Sequence, residues 1–533
     1  AFERDSDTEV LLRAYQHWGE DVVHQLRGMF AFAVWDARRQ QLYLARDRYG
    51  EKPLYLRQEA GGLFFASEIK ALLKLPLSSS IVDPEAVWDY LAYRYVPGPR
   101  TLLRGIRKLL PGTYGIWSSG RLQQVRYWVP PDRDARDTRR ENDDPVGGFL
   151  TRLDSAVASQ MVSDVPFGAF LSGGLDSSMI VALMTRHCDF VRTYSVGFAD
   201  KGYSELPFAA QVASEFGTEH HALHVTPRDI MDALPPLVGF RDAPVSEPSD
   251  IAIHLLAKEA SRSVKMVLTG EGSDEILGGY PKHVWERFTP GYQWLPSAVR
   301  EGLVAPLAAA LPYRFRRVKT LIANFNIDDR CERYVRWFGA LSNDERRRLA
   351  RLPINGYAYA PPLGLGNAAP PFDSAEDNSR LRRLLYFDQT SWLPDNLLER
   401  GDRMSMAASI EARVPFLDHE LGAYVSSLPD RYRVRGLRTK WLLRQAGQRI
   451  LPKAILTRPK VGFRVPVNEW FRGELRGFLL DHLKGTRSIT RDYYEPSVLD
   501  RLLAEHMEGR HNHEKLLWTL LNLEIWHRQY APH

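Results

Sequence analysis

The sequence predicts an α/β chain. A doubly wound parallel sheet leads into a mostly helical C-terminal part, and a strand-rich α+β region precedes both. Three observations carry that prediction. Between residues 165 and 269, apolar strand-like runs alternate with helical periodicity, as strand–helix–strand units do. From about residue 285 the helical pattern dominates. Residues 1 to about 128 show short strands broken by tight turns.

In chain order, residues 30–36 and 41–46 read as strands, and the polar stretch between them as a hairpin turn. Gly61-Gly62 followed by Leu63-Phe64-Phe65 reads as a further turn and strand. Residues 130–148 turn rich in Asp, Arg, Asn, Pro and Gly and read as an exposed linker. The expected domains are therefore 1–128, a linker at 129–148, and 149–533. Residues 165–171, 191–198 and 264–269 are the strand candidates of the second domain, with helices at 205–216 and 251–261. The run 303–311 reads as a packed helix too short to span a bilayer. Residues 514–530 carry Leu and Trp at helical spacing and read as core.

Composition sets the class. The chain has 533 residues, 44% hydrophobic and 26% charged, with a net charge of +6, as ordinary globular proteins do. Arg-rich spots at 314–317 and 346–348 fall in helix-like stretches and read as solvated faces, so neither nucleic acid nor membrane is expected as a partner. Cys188 and Cys331 form no Cys-x-x-Cys pair, which argues against a disulfide framework or zinc site and for a cytoplasmic location. His220, His221 and His224, like His511 and His513, show no acidic or cysteine partner at matching spacing and read as ordinary polar residues.

The chemistry concentrates in loops that follow predicted strands. The first is Ser172-Gly173-Gly174-Leu175-Asp176-Ser177-Ser178. Glycines let the backbone turn and approach a ligand, and free N–H groups at a helix start favour anions. Asp176 would repel a bare phosphate, which implies a bridging divalent cation. The loop is neither Gly-x-x-x-x-Gly-Lys-Ser/Thr nor Gly-x-Gly-x-x-Gly. The second is Thr269-Gly270-Glu271-Gly272-Ser273-Asp274-Glu275, where three carboxylates within five residues would repel one another without a cation or substrate amine nearby. Asp176 and Asp274 together form a plausible magnesium pair. Two further stretches are Asp402–Ala407 with Glu411–His419, and Arg458-Pro459-Lys460-Val461-Gly462-Phe463.

The first loop resembles the pyrophosphate loop of N-type ATP pyrophosphatases. The four segments in this order resemble the synthetase domain of glutamine-dependent asparagine synthetases. Upstream, residues 26–33, 45–55 and 65–70 resemble the later part of that family's class II, N-terminal-nucleophile glutaminase domain. The resemblance spans nearly the whole chain. It implies ATP-dependent amide formation through an acyl-adenylate, with ATP and Mg2+ as cofactors. It implies that Leu171, Ser172, Gly173, Gly174, Asp176, Ser177, Val196, Thr269 and Gly270 line the ATP site. Asp176 and Asp274 would hold the metal, and Lys460 would neutralise developing charge. Glu271 would accept a proton from attacking ammonia. Asp7 resembles the ligand of the glutamine amino group.

The implied small-molecule partners are aspartate or another carboxylate, with glutamine or ammonia as nitrogen donor. The resemblance also allows for a homodimer. The family's nucleophile is a cysteine at the mature N-terminus, whereas this sequence starts at Ala1. The expectation is a truncated copy that uses ammonia, from a parent that uses glutamine. Val245-Ser246-Glu247-Pro248-Ser249-Asp250 lacks the threonines and arginine suited to an aspartate carboxylate. A related amidotransferase or cyclase acting on a saccharide, peptide or lactam precursor is the alternative.

Overall fold

The computed structural model describes residues 6–59, 61–75, 81–133, 144–199, 203–312, 315–352, 379–457 and 465–530. The first region holds two antiparallel sheets. One has the order β1 (Ala31–Asp36), β2 (Gln41–Arg46), β6 (Thr113–Ser118), β7 (Arg121–Arg126). The other has the order β4 (Gly62–Ala66), β3 (Tyr55–Glu59), β5 (Ile106–Lys108). Leu44, Leu54, Leu56 and Leu109 form one buried cluster of this region. Tyr15, from the helix Asp7–Trp18, packs with Val22, Val23 and Tyr43 in another. The expected hairpin forms, with Ala31 paired to Arg46 and Asp36 to Gln41.

The second region is built on five parallel strands. They run β10 (Glu219–Val225), β9 (Arg192–Phe198), β8 (Phe167–Phe170), β11 (Met266–Leu268), β12 (Glu411–Arg413). Alternation along β11 shows how the sheet is covered. Met266 and Leu268 join the cluster containing Phe149, Leu153, Met179 and Leu183, whereas Val267 joins Leu256, Ala257 and Ala260. Helices therefore cover both faces, which suits a parallel sheet. From β8 the chain moves outward through β9 to β10, then returns to place β11 on the other side of β8. That reversal makes a switch-point crevice at the carboxyl ends of β8 and β11.

Three sequence readings change. The 130–148 stretch is not simply an exposed linker. Residues Pro131–Arg133 form a turn of 3-10 helix in which Asp132 is buried and accepts from Arg433 Nη1 at 2.7 Å and Ser426 Oγ at 2.9 Å. The helix Pro145–Gln160 already begins within it, capped by Asp144. In the Arg346–Arg348 run, Arg346 is buried, 4.3 Å from the Trp88 ring centre and donating to the Trp88 carbonyl at 2.9 Å. The 303–311 run is helical to Ala310, but Leu303 and Leu307 are 56% and 61% exposed rather than packed. No described helix is long and apolar enough to cross a membrane.

A helical spine joins the regions. The helix Arg380–Phe387 continues through a wider π-type stretch, Asp388–Leu398, into Glu399–Met406. The first region docks on it through charge. Asp47 accepts from the backbone N–H groups of Gly50, Glu51 and Lys52 at 2.7, 2.9 and 2.9 Å, shaping the loop that sends Lys52 Nζ to Asp402 Oδ1 at 2.7 Å. Lys108 Nζ lies 3.1 Å from Asp395 and 2.7 Å from Glu399, and Arg403 lies 3.4 Å from Glu68. Lys52 and Glu68 belong to segments that resemble a glutaminase domain, whereas Lys108 lies outside them. The C-terminal helix Glu514–Tyr530 packs as core, with Trp518 and Trp526 donating to the carbonyls of Val245 and Asp242 at 2.9 and 3.2 Å.

Asp388 is fully buried between Lys282, with which it makes a close ion pair, and His283 Nε2 at 2.8 Å. Removing one partner of a buried charge pair leaves the other uncompensated. Asp388→Ala is expected to lower unfolding free energy by ~3–5 kcal/mol in urea titrations, a drop that a surface ion pair would not produce.

Candidate active site

Both glycine loops sit in the switch-point crevice. After β8, Leu171 is buried, its N–H bonded to the Tyr194 carbonyl at 2.8 Å and its carbonyl to the Ser195 hydroxyl. The chain then turns at Gly173, whose φ of +67° excludes ordinary side chains. A Cβ there would stand 2.5 Å from the Ala209 nitrogen. The helix Leu175–Met184 starts immediately, with Asp176 in its first turn. Ser172 and Ser177 hydroxyls lie 3.1 Å apart, and Ser177 Oγ also accepts from the Ser172 N–H at 3.2 Å. Val196 lies half-buried on the neighbouring β9.

After β11, the Thr269 N–H donates to the Arg413 carbonyl at 2.9 Å. Gly270 lets the second loop rest on the first: a Cβ there would stand 2.9 Å from Asp176 Cβ and from the Ser177 nitrogen. Gly272, with φ +79°, precedes the short helix Ser273–Leu277 that carries Asp274.

Lys440 ties the two loops together. Its Nζ lies 2.7 Å from Asp176 Oδ1, 2.8 Å from Asp274 Oδ1 and 2.8 Å from Ser273 Oγ. The side chain is almost wholly buried. Burial pulls its pKa down, but Asp176 and Asp274 outweigh that and hold it above the ordinary lysine value. The sequence reading missed this residue. Lys440 stands at the N-terminus of the helix Trp441–Gly447, where a cation opposes the helix dipole, a placement that the structure reveals. Its backbone is also left-handed, with φ +50°.

The crowded carboxylates of the second loop each have a separate environment. Asp274 meets Lys440. Glu271 Oε1 lies 3.4 Å from Arg400 Nη2; burial pushes its carboxyl above the usual value and Arg400 pulls it part-way back. Glu275 is buried and accepts from the Tyr280 hydroxyl; burial and then Asp274 push its carboxyl well above the usual value. Arg400 reaches on to Asp250 at 3.3 Å, which Arg241 holds at 3.0 Å. Glu247 lies beside them in a close pair with Arg94. Burial raises its carboxyl, but Arg94, Lys515 and Arg400 more than reverse this. Arg400 also escaped the sequence reading, because its partners lie more than a hundred residues away.

The crevice therefore gathers Leu171, Ser172, Gly173, Gly174, Asp176, Ser177, Thr269, Gly270, Glu271 and Asp274, with Val196 on the adjoining strand. Lys460 lies outside the described residues. Asp7 opens the helix Asp7–Trp18 in the first region and does not join this constellation.

Residues 148–528 match the asparagine synthase family model. The chain belongs to the asparagine synthase family. Residues 1–128 match the glutamine amidotransferase domain. A Mycobacterium tuberculosis protein, itself provisionally named a glutamine-hydrolyzing asparagine synthetase, is 35% identical over 100% of this chain and 81% of its own length. Asparagine synthetase 1 of Bacillus subtilis, also named as glutamine-hydrolyzing, is 32% identical over 100% of this chain and 83% of its own. A more distant relative, the amidase chyE of Penicillium rubens, is 29% identical over 92% and 76%. Membership of the asparagine synthase family makes the chain an enzyme, a carbon–nitrogen ligase of the glutamine-hydrolysing kind.

The Asp176 and Asp274 oxygens share one nitrogen and so lie no more than about 5.5 Å apart. At such a distance two carboxylates repel by ~3 kcal/mol in a partly solvated site. A double-mutant cycle of Lys440→Met with Asp274→Asn should return a coupling energy of ~1–3 kcal/mol in denaturation experiments. Additive effects would separate Lys440 from the loops.

Proposed function

We propose that this protein activates a carboxylate with ATP and transfers the acyl group to ammonia, aspartate being the foremost acceptor. The reading rests on one observation: two glycine loops at adjacent parallel strand ends bring Asp176 and Asp274 to a single cation, Lys440.

In this reading the first loop cradles the phosphates, with Ser172, Gly173, Gly174 and Ser177 offering N–H groups and hydroxyls. Leu171, Val196, Thr269 and Gly270 border the nucleotide. Asp176 and Asp274 present hard oxygen donors on one side of the crevice, a set that fits Mg2+. Bound there, Mg2+ would supply positive charge against the pyrophosphate. Lys440 is placed to exchange its carboxylate partners for phosphate oxygens. Lys460 is assigned the neutralisation of charge on the transferring groups, from its family motif.

The acceptor carboxylate attacks the α-phosphorus and pyrophosphate leaves. Ammonia, free or released from glutamine, then attacks the acyl carbon, and the C–O bond to AMP breaks. Glu271 takes the proton, and its raised pKa suits a general base. Asp7 is assigned to the glutamine α-amino group.

A second reading keeps the chemistry and changes the acceptor. Arg94 is already paired with Glu247, and Arg400 with Asp250 and Glu271, so the cations near the crevice are engaged, a poor welcome for a second substrate carboxylate. A saccharide, peptide or lactam-forming acid would fit that charge pattern better, and the relative chyE is named an amidase rather than an asparagine synthetase.

A panel of carboxylates with ATP, Mg2+ and ammonium chloride decides between them. Aspartate is expected to trigger AMP and pyrophosphate release, and Asp176→Asn to lower it at least ~100-fold while the far-ultraviolet dichroism stays unchanged. Release with another acid alone would establish the second reading, and release with none would remove both.

Activity in the amide-forming step requires ionised Glu271, so it falls as pH drops through that pKa. Arg400 lowers the pKa, so Arg400→Met should move the acid limb of kcat to higher pH. An unmoved limb would take Glu271 out of the base role.

A further inference from the structure

A second constellation lies where the helix Pro496–Met507 ends. Gly509, with φ +76°, reverses the chain, and the loop runs back along the helix's last turn before the helix Glu514–Tyr530 begins. Two main-chain bonds fix that loop. The His511 N–H donates to the Glu505 carbonyl at 3.2 Å, and the His513 N–H donates to Nδ1 of the buried His506 at 3.1 Å.

This frame aims three side chains at one point. His513 Nε2 lies 2.8 Å from Glu505 Oε2, and His511 Nδ1 lies 3.7 Å from the same oxygen. One donor atom from each residue falls within 4.8 Å of the others. The other carboxylate oxygen, Oε1, faces Arg501 at 4.0 Å. The sequence reading dismissed His511 and His513 for want of an acidic partner. The structure supplies one: the helix turn and Gly509 fold Glu505 against them in a Glu-x5-His-x-His spacing.

We propose that Glu505, His511 and His513 bind a borderline divalent transition-metal ion of the zinc class. Donors around such an ion sit ~2.0–2.2 Å from it, hence roughly 3.0–3.5 Å from one another. The two separations from Glu505 Oε2 bracket that range, so small side-chain rotations complete the site. Two imidazoles with one carboxylate select Zn2+, Co2+, Ni2+ or Cu2+ over Mg2+ or Ca2+. Three protein ligands leave a coordination position for water on the solvent side, where His511 is 69% exposed. The ion pins the end of one helix to the residue before the next, and so braces the start of the C-terminal core helix.

The test uses the full chain, stripped with a chelator and dialysed against Zn2+ in excess Mg2+, with metal counted by mass spectrometry. The wild type is expected to retain one Zn2+ and to show d–d absorption when loaded with Co2+. His511→Ala removes an exposed side chain that packs against little, and Glu505→Gln keeps the shape. Each should weaken Zn2+ binding at least ~10-fold, abolish the Co2+ spectrum and cancel the Zn2+-dependent rise in the thermal midpoint. Zn2+ retention equal in wild type and both variants, or no retention by the wild type, would overturn the assignment.

Discussion

The ion contact between Lys440 and the two aspartates is the constraint on which the switch-point crevice depends. Asp176 opens a helix after β8 and Asp274 opens another after β11. Nearly a hundred residues separate them in sequence, and their charges repel. Lys440 arrives from a third element and holds them within hydrogen-bond reach. Its own backbone is left-handed and its charge sits at the unfavourable end of a short helix. The fold accepts both costs at one residue, which is where function is expected to override local preference.

Glycine makes the close approach feasible. Gly270 lets the second loop lie on the first, and a Cβ at Gly279 would collide with both Asp274 and Lys440. The carboxylates of the second loop divide their partners. Asp274 takes Lys440, Glu271 takes Arg400, and Glu275 takes the Tyr280 hydroxyl. One acidic motif thus contains a paired anion and two buried carboxyls held above the usual value.

The spine from Arg380 to Met406 carries this arrangement across the molecule. Asp395, Glu399, Asp402 and Arg403 receive the amidotransferase-like region through Lys108, Lys52 and Glu68. Arg400, between them, faces Glu271 and Asp250 instead. Consecutive positions of one helix thereby serve both the junction and the crevice. Two of these contacts, from Lys52 and Glu68, come from segments that also read as family motifs, and the third, from Lys108, does not.

Much of this was legible in the linear chain. Strand–helix alternation, glycine loops after apolar runs and the order of the four motifs led to the fold class and to the family. These signals are local: periodicity, turn chemistry and spacing are written within a few residues. Lys440, Arg400 and the Glu505–His513 cluster were not read, because their meaning depends on what they meet. A lysine in a helical stretch looks solvated until the sheet order places β8 beside β11, and a glutamate six residues from a histidine becomes its partner only when Gly509 turns the chain. Asp132 shows the reverse case, a polar segment that composition assigns to solvent and Arg433 draws into the core. The sequence by itself determined which elements form and what family chemistry they serve. The tertiary structure alone decided which charges are paired, because the energy of a charge depends on distant neighbours and burial rather than on adjacent residues.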